Sequence, residues 1–180
     1  MPNANRTQTF YNPTGNPDTY NSATLYVPGQ LGQAYDVNDR AYQCVQLDSA
    51  ATASSVTGIV AVNELAFWKD RSQYLVTNDP SQCLFGGVAN SYRNNVAGIF
   101  RTAVTAGNFC NVLQRGRNIN VKEAGSATAG MTLCANPSST AADALGTAIA
   151  TASPTQQIGV VVTATAANVA VADVDIPNIP

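Results

Sequence analysis

Hydrophobic and polar positions alternate most cleanly near residue 120. Ile119 and Val121 fall on one side of an extended chain, and Asn118, Asn120 and Lys122 on the other. A period of two is the signature of a half-buried strand. The same alternation places Ala170, Ala172, Val174 and Ile176 on one face of a strand over Val169–Ile176. Further strands are expected at Val96–Val104, Phe109–Gln114, Met131–Cys134 and Ile158–Thr163. Thr105–Asn108 reads as a turn, Arg115-Gly116-Arg117 as a hairpin connection, and Ser138–Gly146 as a polar loop with one helical turn. Short strands at even spacing predict a small antiparallel β-barrel or sandwich over residues 95–180.

Upstream the pattern is less regular. Ala41–Leu47, Val56–Val62 and Tyr74–Thr77 read as strands, separated by turn-forming stretches at Asp36–Asp39, Asp48–Ser55 and Asn78–Ser81. Residues 34–94 are therefore expected to form a smaller β-rich N-terminal lobe. Residues 1–33 are broken by Pro2, Pro13, Pro17 and Pro28. They interleave polar residues with Phe10, Tyr11, Tyr20 and Tyr26, which fits an extended arm that docks its rings on a neighbour better than a featureless tail. The fold class is mainly β. Three V/I-x-G-apolar echoes, at Val56, Val96 and Ile158, are too short to establish a repeat.

The aromatic residues are unevenly placed. None lies beyond Phe109, so the rest of the C-terminal segment packs with Val, Ile, Ala, Thr and Leu. Burying each such side chain contributes only ~1.5–3 kcal/mol before entropy is subtracted. A lobe built this way gains stability from copies of itself, which predicts a homo-oligomer. Trp68, in Phe67-Trp68-Lys69-Asp70-Arg71, has two readings. With Arg71 it makes a contact hot spot, or it plugs the core of the N-terminal lobe, the reading that ordinary packing favours.

Composition adds a surface to this picture. Only 11% of the 180 residues are charged, well below the roughly one quarter of an average protein. Uncharged polar groups shed water more cheaply than ions and suit large wet contacts between subunits. The nine basic residues form no stripe, so nucleic acid is not expected as a partner. No run approaches the length of a membrane span, and Met1–Gln8 lacks the apolar segment of a secretory signal. The chain is expected to be made in a cytosol and to remain there unless lysis releases it.

The chemistry available is narrow. With no His, the commonest general base and metal ligand is missing, and Ser-His-Asp and Cys-His sites are excluded. Cys44, Cys83, Cys110 and Cys134 form no C-x-x-C pair and read as buried, reduced residues, with later oxidation open. Paired carboxylates leave one hydrolytic route, through Asp36 with Asp39 or Asp173 with Asp175. Asp36-Val-Asn-Asp39 resembles part of a calcium loop, but Arg40 stands where the next ligand belongs. Solvated turns and a strand end account for these residues better. No catalytic residue, cofactor, metal or small-molecule substrate is expected, and the chain is read as non-enzymatic.

Several segments together resemble the capsid decoration, or cement, proteins of tailed bacteriophages. They are Val96-Ala-Gly-Ile-Phe100, Thr105-Ala-Gly-Asn108, the Gln114-Arg-Gly116 turn, Gly125-Ser-Ala-Thr-Ala-Gly130 and Ile158-Gly-Val-Val-Val162. Phe67-Trp-Lys-Asp-Arg71 with Tyr74–Asp79 resembles a segment of such virion proteins. The likeness covers residues 56–176 in low-information strand-and-turn motifs, and the Asn/Tyr/Pro-rich opening lies outside it. It implies a structural protein on the outer capsid surface, bridging neighbouring major capsid proteins. It implies self-association, a homotrimer first and a dimer second. Candidate contacts with capsid or subunit are Phe10, Tyr11, Tyr20, Tyr26, Trp68 and Arg71. Alternatives are another virion component, such as a head-fibre base or tail protein, and a β-rich surface-binding module.

Overall fold

The computed structural model describes residues 21–23, 32–35, 40–51, 59–60, 62–79, 84–85, 88–89, 95–124, 127–135, 148–150, 157–166 and 168–176. Within them the chain forms strands and no helix. In chain order these are β1 (Asn21–Ser22), β2 (Gly32–Tyr35), β3 (Ala41–Leu47), β4 (Ile59–Val60), β5 (Leu65–Asp70), β6 (Leu75–Thr77), β7 (Leu84–Phe85) and β8 (Val88–Ala89). They continue with β9 (Val96–Phe100), β10 (Val104–Thr105), β11 (Phe109–Lys122), β12 (Thr132–Ala135), β13 (Ala148–Ala150), β14 (Gln157–Ala166) and β15 (Val169–Asp175). The expected mainly-β class is what the structure has.

The long strand β11 organises the sheet. At 14 residues it runs roughly 45 Å if fully extended. Its first half pairs antiparallel with β3, Phe109 opposite Gln46 and Arg115 opposite Ala41. On the other side Val112 and Leu113 meet Phe100 and Ile99 of β9. β9 pairs with β5, β5 with β6, and β6 runs parallel to β3, so the ladder returns to its start. This ring of β3, β6, β5, β9 and β11 takes strands from both sides of the expected boundary at residues 94 and 95. Its β9–β11 seam is only two residue pairs long, which makes it a partial ring. The second half of β11 pairs with β15, and the sheet continues through β14 and β12 to β13.

Arg115-Gly116-Arg117 is not the hairpin that its composition suggests. The strand runs straight through it with a bulge. Three steps on β11, Gly116 to Ile119, match two on β15, Val174 to Ala172. Asn118 absorbs the extra residue at φ 53°, a left-handed conformation that Asn tolerates, and its N–H donates to Asp173 Oδ1 at 3.0 Å. A Cβ on Gly116 would lie 3.0 Å from Ile119 Cδ1. Turn and bulge draw on the same residue types, and only the partner strands tell them apart. The strand expected at Val96–Val104 is also broken, ending at Phe100 and resuming at Val104. The Thr105–Asn108 turn forms as expected, with Asn108 N donating to Thr105 O and Gly107 at φ 83°.

Successive residues of the ring strands feed two cores. Val45, Leu47, Ala66, Trp68, Val76, Ala97, Phe100, Cys110 and Val112 form a cluster that draws on all five ring strands and fills the ring. Their neighbours Tyr42, Leu65, Phe67, Ile99 and Leu113 face the other way. There they pack with Ile119, Val121, Leu133, Ile158, Val161, Ala170, Ala172, Val174 and Ile176. The aliphatic C-terminal strands therefore rest on Tyr42 and Phe67 from the earlier segment. The shortage of rings after Phe109, from which self-association was expected, is met within one chain.

Candidate contact surfaces

Of the six expected contact residues, Phe10, Tyr11, Tyr20 and Tyr26 lie outside the described residues, as do the Asp36–Asp39 turn, the Ser138–Gly146 loop and Cys83. Trp68 is only 7% exposed and belongs to the ring cluster, so of its two readings the structure realises the core plug. Arg71 stays half-buried in the turn between β5 and β6.

That turn is built from local chemistry. Asp70 Oδ1 accepts hydrogen bonds from Ser72 N at 2.9 Å, Ser72 Oγ at 2.6 Å and Gln73 N at 3.4 Å. The Ser72 hydroxyl, more than any other group, holds the Asp70 carboxyl below its usual range. Tyr74 closes the turn at φ 54°, and its N–H donates to Arg71 O. Its ring meets Trp68 edge to face, with centroids 6.3 Å apart at 68°. Partial burial lowers the Arg71 pKa, yet a guanidinium keeps its charge through such a shift. Lys69 is ion-paired with Asp48 beneath. The tip thus offers Arg71, exposed Ser72 and Gln73, and the half-buried Tyr74 ring on a braced hairpin.

A second surface had no counterpart among the expected contacts. On the solvent side of β14, Val160 and Val162 are each 42% exposed. Thr132 lies opposite Val160, and the half-buried Val169 and Val171 continue the face onto β15. Thr163, Ala164 and Ala166 border it and carry no charge; Asp173 lies within it, directly opposite Val160, and is engaged by Asn118. The sequence signal was present in Ile158-Gly-Val-Val-Val162. An unbroken apolar run marks a strand with both faces apolar, although the β14 sheet buries only one. Gly159 lets β14 and β15 meet here, since a Cβ on it would sit 2.2 Å from Asp173 O.

Asp173 and Asp175, the second candidate carboxylate pair, are both exposed on β15, as a solvated strand end requires. Cys44, Cys110 and Cys134 are buried free thiols. Among the described residues no group of three or more His, Cys, Asp or Glu could hold a metal ion, and no helix is long and apolar enough to cross a membrane.

No protein-family model matches the chain, and no curated protein matches it. Among solved structures, the chain is similar to the N base of head fiber gp8.5 of bacteriophage phi29. Identity is 15%, the match covers 77% of this chain and 98% of that chain, and the TM-score is 0.42. A score at that level does not establish a common fold.

Proposed function

We propose that this protein is a structural component of a tailed-phage virion. It binds the outer surface of the head and bridges neighbouring major capsid proteins. The observation that carries the reading is the exposed pair Val160 and Val162 on the solvent side of β14, on a chain of which only 11% is charged. Such a surface suits a broad contact with a fixed shell, where shedding water from ions would be costly. The kind of shell comes from the resemblance of residues 56–176 to capsid decoration proteins. A homotrimer remains the first expectation for self-association. It rests on that resemblance alone, because Tyr42 and Phe67 supply the rings that the C-terminal strands lack.

The test is co-purification with phage particles, with copy number from quantitative protein gels and position from particle imaging. Copies at the repeating positions of the capsid lattice, with heads that resist heat better than heads lacking the protein, support cementing. Copies restricted to projecting fibres identify a head-fibre base instead. Absence from purified particles overturns the virion reading.

A further inference from the structure

Three side chains at one end of the ring carry chemistry that the contact function does not use. Glu64 precedes β5 and is fully buried, and its side chain is 0% exposed. Its Oε1 accepts a hydrogen bond from Lys122 Nζ, at the end of β11, at 2.8 Å. Its Oε2 accepts one from Asn78 Nδ2, just after β6, at 3.1 Å. Asn78 is also fully buried, and the Lys122 side chain is 19% exposed. Glu64 continues the strand phase of Ala66 and Trp68, and Asn78 that of Val76, all members of the ring cluster. One carboxylate therefore holds an amine nucleophile and a carboxamide together, with the carboxylate and the carboxamide buried.

We propose that Lys122 and Asn78 join in an intramolecular isopeptide bond, with Glu64 as the proton carrier. An ammonium is not a nucleophile, so the proton first passes from Lys122 Nζ to Glu64 Oε1 along their hydrogen bond. The free amine then attacks Asn78 Cγ, and the electron pair of the carbonyl moves to Oδ1. Glu64 takes a proton from the attacking nitrogen and delivers one to Nδ2. The Cγ–Nδ2 bond breaks as the carbonyl re-forms. Lys-NH3+, Asn-CONH2 and Glu-COO− become Lys-NH-CO-Asn, NH3 and Glu-COOH, with no oxidant or cofactor. Burial of Asn78 and Glu64 keeps water from competing with the amine. The juxtaposition supplies the effective concentration that the amide, a poor electrophile, requires. The reaction happens once per chain and links β11 covalently to the end of β6. It does not depend on the virion reading.

Intact mass spectrometry of the purified full-length protein, followed by proteolysis and fragment sequencing, tests this. The expected result is a chain lighter by one ammonia and a branched peptide joining Asn78 to Lys122. Lys122→Arg and Glu64→Gln are expected to keep the full sequence mass and to yield only linear peptides. Wild-type protein with Asn78 and Lys122 in separate linear peptides overturns the proposal, including when ammonia is lost elsewhere. A branched peptide formed as completely in Glu64→Gln as in wild type overturns the role of Glu64. The wild-type measurement decides the bond even if both variants fail to fold.

Discussion

Val174 offers a sharp test of which face of the last strand is inside. It is 3% exposed and lies opposite Gly116 of β11 and Gly159 of β14. Neither neighbour has a side chain, so Val174 alone fills this row across three strands. Val174→Asp forfeits the ~1.5–3 kcal/mol of a buried valine and strands a carboxylate, which costs several kcal/mol more. The sum, about 5 kcal/mol or more, matches the whole stability of a marginal domain. Val174→Ala removes the packing alone and should cost about 2 kcal/mol. Val162→Asp, on the exposed side of the neighbouring strand, should stay within about 0.5 kcal/mol. Urea unfolding followed by circular dichroism compares the three. Equal losses for Val174→Asp and Val162→Asp, or an unshifted Val174→Asp midpoint, would refute the assignment of faces.

Other consequences are open to measurement. Gly159→Ala should lose about 3 kcal/mol or more, because its Cβ would meet backbone rather than a side chain that can move; a midpoint near wild type contradicts the close approach of β14 and β15. Burial pushes the Cys44 thiol up to about 12, and that of Cys110 is also raised, so neither should react with iodoacetamide at neutral pH until the chain unfolds. The unfolded chain ionises these thiols near their ordinary value of 9.0 while the folded chain does not, so stability should fall as pH climbs past that value; urea midpoints that hold steady through that range speak against it. Deleting residues 1–30 should weaken binding to isolated capsids while the unfolding transition persists, and equal affinity of the two forms removes the arm from the contact. Binding of the intact protein should depend only weakly on salt, since few ion pairs are available; a steep loss at moderate ionic strength points to a charged receptor.

Much of the architecture can be read locally. Ala41–Leu47 is a strand with the bounds its composition predicts. The alternation at Ile119 and Val121, and at Ala170, Ala172, Val174 and Ile176, places every one of those residues inside. Period-two patterning works there because one face meets solvent. It says less where β11 passes between β3 and β9, since Cys110–Gln114 are buried on both faces. The candidate contacts were less legible. Trp68 reads as anchor or core, with ordinary packing favouring core, and only its neighbours decide between them. The valines of β14 read as ordinary core until the sheet proves to be covered on one side only.

What the chain determined by itself is its class and its chemical poverty. Strand periodicity, turn residues, scarce charge and the lack of His are properties of composition and local order, legible without knowing what lies next to what. Tertiary structure decided everything that depends on distant residues meeting. It turned a hairpin signal at Gly116 into a bulge by supplying β15 as partner. It joined both segments in one ring and lent Tyr42 and Phe67 to strands with no ring of their own. It also set Glu64 between Asn78 and Lys122, residues 14 and 58 positions away. No local pattern encodes a meeting at such separations, because it is register across the sheet, summed over several strands, that brings those side chains to one carboxylate.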